Sequence, residues 1–561
     1  MKIRINRTIF FLIILLVTLI LSKFLFFRLD LTSDKRFSIT DQTKNLMHKI
    51  DKPLEIVIYM DGDLNPGFLR LKNATTEIID ELAVYSAKNI SVKFKNPSEA
   101  SSSDIREKNY SELQNRGLTP TMVYERDNDG KSVQKVIFPW LEIRYKNTTI
   151  PVCLLKNILG NSGEENLNIS TENLEFEITD AIRRLVNKEV KKIAFIEGHG
   201  ELNYSETYDI SKSLSHYFQI DRGILASNAS VLDAYKAIII AKPTQPFSES
   251  DKFIIDQYIM HGGSVLWLLD GVRIANENLS SSGLSPAMEL DVNLNDLLFR
   301  YGVRINPVIL EDVQCISIPI NIAPAKAQPQ FEPTPWYFSP LLLTSPENTI
   351  TRNVSEVKAD FCSGIDLVGE NKLVKSKVLL ATSDNTHILG TPTTIDLSFN
   401  PKPNDKSYFD QSYVPVAVAL EGNFNSDFIN RMIPKGLTNT LPILTKSIIT
   451  RQIVVADGNI IRNDTTLNNS DSTKIPLGYD RYMNQQFGNK DFIQNAVMYL
   501  TDDDGWMNLR SKTMKLRLLN KEISAEERLN LQLGNVLIPL IILLIFGILY
   551  QLIRKRKYTR N

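Results

Sequence analysis

Sixty-four basic and 64 acidic residues in a chain of 561 leave no net charge, and 23% charged with 43% hydrophobic residues is an ordinary globular balance. A chain of this length predicts three or four domains with ample material for large cores, and its neutrality argues against a nucleic-acid partner, which would leave a basic excess. Three widely spaced cysteines, Cys153, Cys315 and Cys362, exclude a disulfide framework and a C-x-x-C metal site; buried apolar thiols are expected, with one disulfide as the alternative outside the cytoplasm.

Ile9 to Leu21 is apolar apart from Thr18, and Phe24 to Phe27 extends it to a length that crosses a hydrocarbon core of roughly 30 Å. Lys2, Arg4 and Arg7 precede it and hold that end in the cytoplasm. A cleaved leader would want a shorter run and small residues at a cleavage site, so an uncleaved anchor is expected. Thr40-Asp41 then opens a helix with Leu46, Met47 and Ile50 on its apolar face, closed by Pro53, and a strand follows from Leu54 to Met60. Phe68, Leu71, Thr75, Ile78, Leu82 and Tyr85 keep helical spacing, and Ile90 to Phe94 reads as a strand. A second helix capped by Ser103 or Asp104 stops at Gly117. Strands are predicted at Met122 to Glu125, Val133 to Tyr145 and Thr149 to Leu155, the first two joined across Asp127-Asn128-Asp129-Gly130, and a helix from Glu172 to Val186. This βαβαββα order fits a thioredoxin-like domain over residues 28–188, a scaffold only, because it has no C-x-x-C.

A larger α/β domain, residues 189–510, begins with Lys191 to Glu201. The apolar run Ile193 to Ile196 ends in Gly198-His199-Gly200, and helical spacing resumes near Thr207. Ile238 to Ala241 and Val265 to Leu269 are buried-type strands flanking a helix from Glu249 to Met260, a spacing that predicts a parallel, doubly wound sheet. From about 276 to 346 the periodicity lapses among Pro319, Pro324, Pro329, Pro333, Pro335 and Pro340, which reads as an irregular, lid-like insertion. Val378 to Thr382, Val414 to Leu420 and Ile453 to Val455 supply further strands, and Asp491 to Leu500 the last helix. A juxtamembrane helix (511–532) leads to a second apolar span, Leu533 to Ile553, followed by the basic tail 554–561. Both basic ends therefore lie on one side of the membrane and the bulk of the chain on the other.

His199, with Glu197 and Glu201 beside it, stands at the carboxyl end of a strand, the edge where open α/β sheets bind ligands. These three are the candidate ligand-binding residues. The competing and favoured reading is a tight turn in which Gly198 and Gly200 supply backbone freedom and the imidazole makes a structural hydrogen bond. One His-Glu pair falls short of the three or four ligands of a zinc site, so neither a metal nor any other cofactor is expected. After Val265 to Leu269, where a nucleophile elbow would place Ser or Cys between glycines, the sequence has Asp270-Gly271, and there is no P-loop. Asp457-Gly458-Asn459 reads as a turn and Asp502-Asp503-Asp504-Gly505 as a solvated helix terminus. No catalytic residue is assigned, and the chain is read as a non-enzyme.

The first anchor with Arg28-Leu29-Asp30-Leu31-Thr32 and Lys35-Arg36-Phe37-Ser38, the strand-turn Ile193 to Glu201, Asn489-Lys490-Asp491-Phe492-Ile493-Gln494-Asn495 with Tyr499-Leu500, and the last anchor with its basic tail resemble one family. It is that of the auxiliary membrane proteins of uncharacterised ABC transport systems, and within it the gliding-motility-associated GldG type. The resemblance spans nearly the whole chain. It implies a bacterial inner-membrane protein, periplasmic between two transmembrane helices with both termini cytoplasmic. It implies partnership with a permease and a separate ATPase in gliding motility, and a substrate-binding role with the substrate unnamed. It also implies that the larger domain is class I glutamine-amidotransferase-like, although the nucleophilic Cys of that fold is missing here. An extracytoplasmic hydrolase using His199, or an envelope scaffold, are the alternatives.

Overall fold

Two mostly apolar runs, Ala237–Ala241 and Ser264–Leu268, are buried at every position, the signature of strands covered on both faces. Alternate residues serve opposite layers: Ile238 and Ile240 join the core on one side, Ala237 and Ile239 the core on the other. The computed structural model in which they lie describes residues 38–511 and 525–558, apart from 87, 127–131, 188, 227, 229, 324–327, 370–372, 400, 439–441 and 469–470. The first apolar span and the Asp127–Gly130 turn lie outside the described residues.

The chain divides into two units, Met1–Thr513 and Met514–Asn561. In the first, a small sheet combines β1 (Leu54–Ile58), β2 (Ile90–Phe94), β3 (Trp140–Tyr145) and β4 (Thr148–Cys153) in the order β2-β1-β3-β4. β1 and β2 are parallel, joined through α2 (Pro66–Tyr85), while β3 and β4 form an antiparallel hairpin. α1 (Asp41–His48) is capped by the Thr40 hydroxyl, as its sequence predicts. The next helix, α3 (Ser103–Asn115), is capped one residue earlier than predicted, by Ser102. The predicted strand Val133 to Tyr145 is broken at Phe138-Pro139: its first part pairs with Thr121–Arg126, as expected, but in a separate ribbon, and its second part is β3 of the small sheet. α4 (Gly163–Val186) starts well before Glu172, because Ser162 and Glu165 form a capping box.

The large sheet has ten strands. Its main path uses β5 (Lys191–Glu197), β6 (Phe218–Ile224), β7 (Ala237–Ala241), β8 (Ser264–Leu268), β9 (Cys315–Asn321), β10 (Phe331–Thr344), β11 (Val374–Ala381), β12 (Pro415–Gly422) and β13 (Thr450–Val455), in the order β6-β5-β7-β8-β13-β12-β11-β10-β9. The strands β6 to β13 in that path are parallel; the rest are antiparallel. α6 (Glu249–Met260) covers one face, while α5 (Tyr208–Leu214) and α7 (Asn489–Leu500) cover the other. Residues of both sheets, Ile56 and Ile193 among them, share one continuous core.

In place of the irregular insertion expected from 276 to 346, its described residues form helices Asn276–Ser282 and Asn295–Tyr301 and the long hairpin β9–β10. Pro319, Pro333 and Pro335 do not break the strands because of where they fall. Ile322 N donates to Gln330 O, and that register puts Pro319 opposite Pro333, and Pro335 opposite Ser317, at the non-hydrogen-bonded pairs, where no ladder N–H is needed. In the second unit one continuous helix, α8 (Ala525–Tyr558), joins the end of the expected juxtamembrane segment to the second apolar span, while residues 512–524 lie outside the described residues. Within α8, Glu527–Arg556 is long and apolar enough to cross a membrane, and Leu543 and Phe546 are 70% and 73% exposed.

Candidate functional site

β5 ends at Glu197 between β6 and β7, the point at which strand order reverses and the crevice of a doubly wound sheet opens. Gly198 and Gly200 take φ of 118° and 74° and turn the chain back, so that His199 O accepts from Thr244 N (2.8 Å) and Gln245 N (2.9 Å) beyond β7. The imidazole is buried and stacks on Phe247 at 3.6 Å between centroids. Its Nδ1 lies 3.1 Å from Glu201 Oε1 and its Nε2 3.3 Å from Asp251 Oδ2 on α6. The other Glu201 oxygen accepts from His199 N at 2.6 Å. Burial pulls the imidazole toward its neutral form, but the two carboxylates outweigh it and raise its pKa. Glu197 points elsewhere, to Arg222 Nε at 2.6 Å, and that guanidinium also holds Leu202 O (2.6 Å). The three predicted residues thus separate: His199 and Glu201 form a clamp that ties the turn to α6, and Glu197 braces β6. Both ring nitrogens and one ring face are thus engaged within the protein.

The same edge, one strand further on, holds a second constellation. The register aligns Leu268 with both Ala241 and Val455, so Lys242, Asp270 and Asp457 emerge side by side just beyond the paired ends. Lys242, at φ 55°, places Nζ 2.5 Å from Asp270 Oδ2 and 2.9 Å from Asn459 Oδ1. Asp270 Oδ1 accepts from Gly458 N at 2.6 Å; a Cβ on Gly458 would lie 2.5 Å from the Cβ of Lys242, so the close approach requires glycine. Asp457, fully buried, accepts from Asp360 N (2.8 Å) and Asn459 N (2.7 Å). Burial, with Asp270 and Asp360 nearby, pushes its carboxyl up to about 8. Beside this cluster opens a cavity of about 430 Å³, lined by Trp336, Lys358, Asp360, Phe361, Arg462 and Asp464 among others.

The sequence held half of this signal. Asp270-Gly271 and Asp457-Gly458-Asn459 both stand out after buried strands, but nothing local says that β8 and β13 are neighbours. Asp502 caps the following turn by accepting from Trp506 N (2.9 Å) and Met507 N (3.0 Å), while Asp503 pairs with Lys191 and Lys236 and Asp504 with Arg183. All three cysteines are free; burial pushes the Cys315 thiol up to about 12 and raises those of Cys153 and Cys362. Among the described residues no group of three or more His, Cys, Asp or Glu is arranged to hold a metal ion.

The family described as "ABC-type uncharacterized transport system" matches residues 190–496, which contain every strand of the large sheet's main path, and a domain of unknown function, DUF7088, matches 33–144. An uncharacterized protein of Borreliella burgdorferi is 21% identical, over 99% of this chain and 98% of its own. Among solved structures, the mmIFT52 N-terminal domain is 15% identical, covering 56% of this chain and 99% of that one with a TM-score of 0.31, a likeness too slight to carry an argument.

Proposed function

The chain belongs to the auxiliary family of ABC-type uncharacterized transport systems, and from that premise we propose that it is a non-catalytic, membrane-held subunit working with a permease and a separate ATPase. The family match over the whole large sheet carries this reading. The site chemistry supports its non-catalytic part. Where an amidotransferase-like sheet would carry a nucleophile, Asp270 is occupied by Lys242 and Gly458, and His199 is spent on Glu201 and Asp251. α8 serves as the C-terminal anchor in an inner membrane, with Ile9 to Phe27 as its N-terminal counterpart, both termini cytoplasmic and the bulk periplasmic. Service in gliding motility is the most specific part of the proposal and rests on the resemblance of the anchor and strand-turn motifs. Affinity purification of the tagged full chain from native membranes tests the proposal: a multi-span permease and an ABC ATPase should travel with it, and recovery of neither overturns it.

A further inference from the structure

Two short extended segments carry the same alternation of a cation, a buried residue and a carboxylate: Lys358-Ala359-Asp360 and Arg462-Asn463-Asp464. Ala359 and Asn463 are 1% and 3% exposed, so each middle residue turns into the core and the charged pair around it turns the other way. All four charged residues line the 430 Å³ cavity at the carboxyl edge of the sheet. Asn489 staples the two segments together. Its Oδ1 accepts from Lys358 N (3.0 Å), and its Nδ2 donates to Lys358 O (2.7 Å) and Ile460 O (3.2 Å). The Asp457 carboxylate adds a second tie through Asp360 N and Asn459 N.

The charged groups are only partly engaged within the protein. Lys358 Nζ meets Asp480 Oδ2 at 3.2 Å, one contact for an ammonium with three donors. The Arg462 guanidinium, 42% exposed, reaches Glu206 at 3.5 Å. Asp360 accepts from the Ser339 hydroxyl through one oxygen. Burial holds the Asp360 pKa up against the pull of Lys358. Apolar side chains, Leu279, Trp336, Phe361 and Leu397 among them, share the rest of the wall with Asn459, Tyr479, Tyr482 and Asn489. A lone anion would meet two carboxylates here, and a lone cation two basic groups. An uncharged apolar ligand would strip water from all four without replacing it.

We propose that this cavity binds a zwitterion with an apolar side chain, an α-amino acid or short peptide, its carboxylate on Lys358 and Arg462, its ammonium on Asp360 and Asp464, and its side chain against Trp336, Phe361 and Leu397. A cavity of this size, in which apolar side chains stand beside convergent polar groups, suits a small molecule. The proposal rests on the reading of the chain as a binding subunit and names what that subunit would hold.

Isothermal titration of the full chain in detergent micelles tests it, using L-phenylalanine, L-phenylalanyl-L-leucine, N-acetyl-L-phenylalanine and L-phenylalaninamide. At least one of the two uncapped ligands binds, and capping either end weakens binding about tenfold or more, the worth of one charge-assisted hydrogen bond. Arg462→Gln and Asp464→Asn, both at exposed positions, weaken the uncapped ligand about tenfold with the circular dichroism spectrum unchanged. Tighter binding of the free amino acid than of the dipeptide assigns the former as ligand, and the reverse assigns the latter. Absence of binding by both uncapped ligands, or equal binding of the capped ones, overturns the proposal. A chain that retrieves a permease and an ATPase yet ignores all four compounds defeats this inference alone; one that binds phenylalanine but retrieves neither defeats the transporter reading alone.

Discussion

Replacing Gly200 by alanine isolates the two constraints that shape the turn after β5. The residue sits at φ 74°, and a Cβ built there falls 2.1 Å from Thr244 Oγ1 and 3.4 Å from Thr244 Cβ. The left-handed backbone costs alanine about 1 kcal/mol relative to glycine. The overlap forces the Thr244 side chain away from its 3.2 Å hydrogen bond to Gly200 O, about 1 kcal/mol more. Gly200→Ala should therefore lose about 2 kcal/mol, read as a lowered urea midpoint at unchanged slope for the full chain in micelles. Thr244→Ala alone gives up one exposed hydrogen bond and should cost under about 1 kcal/mol. In the double variant the overlap is gone, so the two losses should fall short of their sum by about 1 kcal/mol. Strict additivity, or a Gly200→Ala loss below about 0.5 kcal/mol, would refute the turn geometry.

The pH dependence of His199 has a definite sign. Its folded pKa is raised above 6.5, so its contribution is complete below the unfolded value and is lost as pH rises through the folded one. Between about pH 5.5 and 8.5 the urea midpoint should fall further for the native chain than for His199→Gln, and parallel falls would show that the imidazole is not held by Glu201 and Asp251. Lys242→Met removes the cation among Asp270, Asp360 and Asp457. With Lys242 19% exposed, the expected loss is about 2–3 kcal/mol, at or just under the low end of the penalty for breaking a buried pair. Adding Asp270→Asn should recover part of that loss, and a further loss in the double variant would count against a Lys242–Asp270 pair. A reporter fused after Asn561 should be active only in its cytoplasmic form, because Arg554, Lys555, Arg556, Lys557 and Arg560 follow the apolar span; periplasmic activity would reverse the topology.

What the sequence displays is what short-range physics decides. Ile193 to Ile196 is apolar at every position and two glycines follow, so strand and turn are readable without knowing any neighbour. The Thr40 cap and the Asn489–Leu500 helix are local in the same sense. The proline-rich stretch misleads because a proline is judged as a breaker one residue at a time, whereas the ladder tests it in pairs: Pro319 and Pro333 meet across a gap that has no hydrogen bond to lose. The start of α4 is a different failure, since the capping box Ser162 to Glu165 is present but precedes the apolar periodicity by two turns. The constellation at the carboxyl edge could not be read at all as a whole. Asp270 and Asp457 are level only because Leu268 pairs with Val455, and Lys358 and Arg462 share a cavity only because Asn489 joins their segments. Sites of this kind are assembled by strand order, and strand order is fixed by burial of whole faces rather than by any residue in the site. The chemistry of such an edge therefore has to be argued from which charged groups the sheet leaves facing one another, and here that remainder is two cations and two carboxylates beside Trp336, Phe361 and Leu397.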